Sequence, residues 1–322
     1  MKNVEDVYPL TPMQQGMLFH SLYAPNSEVY IDQASCRVQG DFNVTAFQQA
    51  WQRVIDRHSV LRTAFVHQGL NESLQVVRQQ AVLPWEEQDW RALSDAEQAL
   101  KLETFLRADR QRGFDLTQAP LMRMTLLQLG EQDWQFVWSF HHVLLDGWCT
   151  SLLFQEVFQF YEAYQRGKAL ELPSPRPFRD YIGWLQQQDL NAAENYWRKR
   201  LAGFKRPTGL DLEPPSGERP EGGYGQSERR LTAESTKALE ALAREQQVTL
   251  NTVVQGAWAV LLSRYSGERD VVYGVTVSGR PAELAGVEQM VGLFINTLPL
   301  RVGVESGAEL GSWLQRLQAE QA

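Results

Sequence analysis

Two apolar runs, residues 121–129 (LMRMTLLQL) and 134–142 (WQFVWSFHH), are separated only by Gly130-Glu131-Gln132-Asp133. Runs of this kind around a Gly- and Asp-bearing turn predict a β-hairpin. The second run ends in His141-His142. The turn Val143-Leu144-Leu145-Asp146-Gly147 then leads into an aromatic helix predicted over residues 150–165 and stopped at Gly167. Any fold of this chain must therefore carry two adjacent histidines from a strand end to a helix start. Neighbouring strand residues point to opposite faces, so the two have different jobs: one faces a cleft and the other packs inside.

The rest of the chain mixes both periodicities. Tyr8-Pro9-Leu10-Thr11-Pro12 reads as a turn-prone opening, with Thr11 as N-cap and Pro12 in the first turn of a helix through residue 23. A strand is predicted over 29–38. Asn43 caps a helix in which Phe47, Ala50, Trp51, Val54 and Ile55 form one apolar stripe. Arg57, His58 and Ser59 end it, with Arg57 and His58 expected on a solvated helix end. Residues 61–66 and 74–78 read as a hairpin, and Ser94 with Glu97 as a capping box. Residues 171–179 are Pro-rich and read as a crossing between lobes, and 202–228 as a long loop. Helices follow at 233–246 and 250–265, the second ended by Gly267. Strands 270–277 and 292–302 flank a polar loop, and the last residues look helical. No repeat appears, and the class is α+β.

Composition narrows the partners. Of 322 residues, 43% are hydrophobic and ten are Trp, enough for a sizeable core. The net charge is −8 with no Lys/Arg run, so neither nucleic acid nor an anionic membrane is an expected partner. The N-terminus has no apolar signal core and no run is long enough to span a bilayer, which predicts a soluble cytoplasmic protein. Cys36 and Cys149 match no metal or redox spacing and are expected as reduced, buried thiols.

The histidine pair lacks the spacing of a helical zinc site, and no third ligand is evident, so no metal is expected. No G-x-S-x-G elbow and no Walker or Rossmann glycine pattern occurs, which disfavours a serine hydrolase and ATP or NAD use. Gly147 permits a tight bend, and a backbone N–H at the helix start faces developing negative charge. On the residues alone, a structural and a catalytic role for the histidines both stand. His20 and His67 read as histidines without chemistry, Met13, Met17 and Phe19 as helix core before tunnel lining, and Ser151 as a helix-start hydroxyl.

The segment HHVLLDGW resembles the HHxxxDG signature of the condensation-domain superfamily of non-ribosomal peptide synthetases, which includes chloramphenicol-acetyltransferase-like enzymes. YPLTPMQQGMLFH (8–20), RHSVLRTAF (57–65), FRDYIGWL (178–185) and YGVTVSGRP with VGLFINTLPLRV (273–302) resemble further condensation-domain blocks, in family order. The resemblance implies two chloramphenicol-acetyltransferase-like lobes in a V-shaped pseudo-dimer, residues 1–172 and 173–322, with a tunnel between them and a floor loop near 278–289. It implies amide formation between two carrier-bound groups, as in peptide antibiotic or siderophore biosynthesis. The partners would be donor and acceptor peptidyl carrier proteins and a neighbouring adenylation domain. The chain itself would bind no cofactor, the phosphopantetheine arms coming from the carriers. His142 maps to the active-site histidine, with general base, positioning and intermediate stabilisation all open as its role. Gly147 would offer its N–H near the reacting centre, Asp146 would pair with Arg62, and His141 would pack. Trp148, Asn296, Ser278, Gly279 and Arg280 would lie at the tunnel or lobe junction, Asn296 more as structure than chemistry. The family's second lobe continues past its fifth block, so the resemblance also implies an incomplete C-terminal lobe and weak turnover by this chain alone. An epimerisation domain, a free-standing coenzyme A acyltransferase and a non-catalytic carrier-docking module are the rivals. Trp148-Cys149-Thr150 speaks against the first, PMQQGMLFH (12–20) and SGRP (278–281) against the second, and the intact His142, Asp146 and Gly147 against the third.

Overall fold

The structure, a computed structural model, describes residues 3–24, 27–210 and 227–321. The chain divides into two compact units, Met1–Gln188 with Ser278–Ile295, and Asp189–Val277 with Asn296–Ala322.

The first unit runs β1 (Val4–Pro9), α1 (Pro12–Tyr23), β2 (Ile31–Gln39), α2 (Val44–Arg57), β3 (Thr63–Val66), β4 (Leu74–Arg78), β5 (Trp85–Asp89), α3 (Asp95–Arg112), β6 (Met122–Gly130), β7 (Asp133–His141), α4 (Gly147–Gln165) and α5 (Arg179–Leu185). Its main sheet has the order β2-β7-β6-β5, antiparallel except for the parallel β5/β6 pair. A smaller antiparallel sheet has the order β1-β4-β3. The strand period sorts side chains onto two faces of the main sheet. Met124, Leu126, Phe136 and Trp138 join the apolar stripe of α2 and the inward side of α4 in one core. Leu127 and Val137 point the other way, into a smaller cluster with Trp90 and the apolar side of α3. Phe47, Ala50, Trp51, Val54 and Ile55 are all buried, as the periodicity of α2 predicts. Trp51 packs on Trp138 with ring centroids 5.0 Å apart.

The second unit holds α6 (Leu190–Arg200), α7 (Ala233–Glu245), α8 (Leu250–Ser266), β8 (Asp270–Val277), β9 (Asn296–Gly303) and α9 (Leu310–Ala319). β8 and β9 pair antiparallel, and Val271, Leu300 and Val302 pack with Ala259, Leu262, Trp313 and Leu314.

Several expectations shift. The opening segment is a strand to Pro9, because Val4–Pro9 pairs with β4; only Leu10 and Thr11 turn before the helix. Residues 173–188, expected in the second lobe, join the first unit: Phe178, Tyr181 and Ile182 are buried in its core with Phe294, and Arg179 reaches Asp6 at 2.8 Å. The run 292–302 is not one strand. Gly292 to Ile295 belong to the first unit, and β9 begins at Asn296. Arg57 and His58 are not solvated: Glu156 on α4 accepts from Arg57 Nε at 3.0 Å and lies 2.8 Å from His58 Nε2, with His58 buried. Arg57 also holds the Pro-rich segment through the carbonyls of Leu172, at 3.1 Å, and Pro173. Phe19 is 60% exposed and stacks on Tyr23, since it faces away from Met17 and Leu18. Cys36 is exposed on β2, whereas Cys149 is buried. Of the predicted loop 202–228, residues 211–226 lie outside the described residues.

Glu156→Gln removes the charge that faces Arg57 and His58 and leaves a mostly buried guanidinium without its counterion. A stability loss of about 2 kcal/mol is expected by chemical denaturation, between the values for exposed and buried pairs.

Candidate active site

The HHVLLDG turn is held from three sides, all within the first unit. From α1, Thr11 and Gln14 form a capping box, Thr11 N–H donating to Gln14 Oε1 at 3.0 Å. That orients the buried amide so that Gln14 Nε2 donates to Val143 O at 3.0 Å and to Gln75 Oε1 at 3.1 Å. From β2, Tyr30 O accepts the His142 N–H at 2.8 Å. The third tie is Asp146.

Asp146 is 2% exposed and caps α4, Oδ1 accepting from Cys149 N–H at 3.3 Å. The cap starts the helix at Gly147, three residues before the apolar pattern alone suggests. Oδ2 accepts the Phe294 N–H at 3.0 Å, and Arg280 Nη2 stands 3.5 Å from Oδ1. A buried carboxylate needs this number of donors. The expected partner, Arg62, is elsewhere. It donates to Glu5 Oε2 at 2.6 Å, Ile55 O at 3.2 Å and Gln79 O at 3.2 Å. It sits at the β1/β4 side because it follows α2 directly, and there it ties the helix end to the smaller sheet.

Arg280 is the counterion. Its guanidinium also donates to Met290 O at 3.0 Å and to Val287 O, and lies 4.0 Å over the Phe294 ring. The thiol of Cys149 fills the remaining space, 3.1 Å from Gly292 O and accepting from Gly292 N–H at 3.3 Å. Burial, with the nearby Asp146 charge adding to it, pushes this thiol up to about 12, so it stays protonated and is no nucleophile. Trp148 is half exposed and its indole N–H donates to Glu288 O at 2.9 Å, a second tie to the same loop. Gly279 has φ +60°, a left-handed position, and Ser278 Oγ accepts the Arg280 N–H at 3.4 Å. Asn296 opens β9 and its Oδ1 accepts the Thr297 N–H at 2.8 Å.

The two histidines take opposite tautomers. Val143 N–H can only donate, and it gives to His141 Nδ1 at 3.1 Å. The proton of neutral His141 is therefore on Nε2, which faces Ser21 Oγ at 3.1 Å; Ser21 passes its own proton to Met17 O at 2.8 Å. Burial, with charge on His142 adding to it, pulls the His141 pKa down to about 4. For His142 the logic reverses. Leu145 O can only accept, and it lies 2.8 Å from Nδ1. Nδ1 carries the proton and Nε2 keeps a free lone pair. The His142 side chain is 23% exposed, so this base is reachable, and the exposed Gly147 starts α4 five residues on.

A profile of the condensation-domain family matches residues 4–322. The chain belongs to the condensation-domain family. Over its full length it is 47% identical to part of a linear gramicidin synthase protein of Brevibacillus parabrevis, covering 4% of that protein. It is 39% identical over 319 residues to surfactin synthase subunit 3 of Bacillus subtilis, covering 98% of this chain and 25% of the relative. A solved variant of the starter condensation domain of rhizomide synthetase, in complex with C8-CoA, is 26% identical with a TM-score of 0.79, covering 98% of this chain and 71% of that one. This condensation domain thus spans a small part of the synthetases it resembles.

Sequence reasoning missed the places of Gln14, Ser21 and Cys149 in the site. Only Gln14 carried a local signal, a glutamine three residues after a Thr cap; Ser21 is placed by the packing of α1 on His141, and Cys149 by the 278–295 segment.

Two outcomes follow from this packing. A Cβ at Gly292 would collide with the Phe178 ring, inside the core. Gly292→Ala should cost roughly 2 kcal/mol of stability, read as a lower thermal midpoint. His141 has a depressed folded pKa, so the unfolded chain binds its proton first. The stability it contributes is present above about pH 6.5 and is lost as pH falls towards about 4, by about 3 kcal/mol. Urea midpoints taken across that window in wild type and His141→Asn should show a flatter acid slope in the variant.

Proposed function

We propose that this condensation domain forms an amide bond between a donor aminoacyl or peptidyl group and an acceptor amine, both delivered as thioesters on phosphopantetheine arms of carrier proteins. The observation that carries this reading is His142: its Nδ1 proton is committed to Leu145 O at 2.8 Å, which leaves Nε2 as a positioned, reachable base in the HHxxxDG turn.

The acceptor's neutral amine attacks the donor carbonyl. A C–N bond forms, the C–S bond breaks, and the donor arm leaves as a thiolate. The proton lost by the nitrogen passes to His142 Nε2 and then to the departing sulfur, so no other reactant is needed. A thioester is already electrophilic, so holding amine and carbonyl together supplies much of the acceleration. Proton transfer at His142 supplies a further part. The start of α4 at Gly147 offers backbone N–H groups for charge developing on the carbonyl oxygen. Asp146 and Arg280 act from behind by fixing the turn.

On the same reading, the two units are the family's two chloramphenicol-acetyltransferase-like lobes and the 278–289 loop is its floor segment. Donor and acceptor carriers are the partners, supplied within a multimodular synthetase.

The test uses a complete synthetase module containing this chain, with donor and acceptor carriers loaded. Intact-protein mass spectrometry of the acceptor carrier should show mass gain by the donor group. His142→Ala should slow it about 100-fold, with the thermal midpoint close to wild type because the side chain is partly exposed. Undiminished product formation by that variant would remove His142 from the chemistry.

A further inference from the structure

One charged group beside His142 has no part in the scheme above. β2 pairs with β7 so that Asp32 lies opposite Phe140 and Ile31 opposite His141. Residues two apart share a face of a strand. Ile31, Gln33, Ser139 and His141 therefore share one face, and Gln33 indeed reaches Ser139 at 3.2 Å. Asp32 and Phe140 share the other, the side onto which the chain carries His142. Asp32 Oδ2 stands 3.9 Å from His142 Nδ1.

That separation is too long for a hydrogen bond, and the Nδ1 proton already goes to Leu145 O. The carboxylate thus makes no hydrogen bond to the ring and acts through its charge. It makes no hydrogen bond to any described residue, so nothing else draws on that charge. The other groups around His142 are spoken for. His141, on the same strand end, is kept neutral by burial. Asp146, on the α4 cap, faces Arg280 and the Phe294 N–H. Arg110 of α3 binds Glu28 and Gln33, on the opposite face. His20 of α1 is exposed and lies against the Tyr30 ring, 6.5 Å between centroids.

We propose that Asp32 is a positioning residue for His142, its carboxylate stabilising the imidazolium that forms when Nε2 takes the proton of the attacking amine. This rests on the reading of His142 as proton acceptor. It accounts for an acidic side chain held half-buried without a hydrogen-bond partner: burial raises the Asp32 pKa and only the His142 charge opposes that rise. The pair is mutual, each charge favouring the other.

The consequence is directional. Removing the Asp32 charge takes a counter-charge away from the imidazolium, so the protonated intermediate is less stabilised and His142 is a weaker base when it acts. The experiment measures single-turnover product formation against pH in the complete module with preloaded carriers, for wild type, Asp32→Asn, Asp32→Ser, Asp32→Glu and His142→Ala. Asp32→Asn and Asp32→Ser should move the acid limb of the profile down by about half a pH unit and lower the plateau about threefold. Asp32→Glu should restore both in part. Thermal midpoints report folding, and the two neutral variants guard against one failing to fold. An acid limb unmoved in folded Asp32→Asn and Asp32→Ser overturns the inference, whatever happens to the rate. If His142→Ala abolishes product while that limb stays in place, only the role of Asp32 falls. If His142→Ala retains full product formation, the reading beneath it falls as well.

Discussion

The buried carboxylate of Asp146 is the constraint on which the site depends. It has almost no solvent, so every lone pair must find a donor inside the protein. It finds one in its own helix, at Cys149 N–H, one in a segment almost 150 residues on, at Phe294 N–H, and a counterion in Arg280. Satisfying one side chain therefore fixes where α4 begins, where residues 278–295 pack, and how the turn between β7 and α4 is shaped. Gly292 belongs to the same arrangement, because only a residue without a side chain lets that segment lie against Phe178. Cys149, protonated and buried between Asp146 and Gly292, closes the gap.

With the turn fixed, the two histidines acquire their roles from two backbone groups. An N–H from Val143 makes His141 Nδ1 an acceptor, and a carbonyl from Leu145 makes His142 Nδ1 a donor. The same imidazole chemistry becomes an inward proton donor at one position and an outward base at the next. Strand alternation sends the rings to opposite faces, and the turn decides which nitrogen of each is available.

Much of this was readable along the chain. The Thr11, Asn43 and Ser94 caps, the α2 stripe and the β6/β7 hairpin are local, since each depends on neighbours within a few residues. What misled was of two kinds. Arg57 and His58 look like a polar helix end until Glu156 arrives from α4 to bind both. Residues 292–302 look like one apolar strand because burial in a core and burial in a sheet leave the same composition; their first four residues pack beside Asp146 and only the rest pair with β8.

The sequence by itself determined the α+β class, the hairpin that ends in His141-His142, and the ordered blocks that place the chain in the condensation-domain family. These follow from periodicity, capping and motif, which are written in short windows. Only the tertiary structure decided that Asp146 meets Arg280 instead of Arg62, that Gln14 reaches across to Val143, and that Asp32 comes to stand beside His142. Those pairings join residues far apart along the chain. A charge at either end fits many partners equally well until strand register and burial leave it just one.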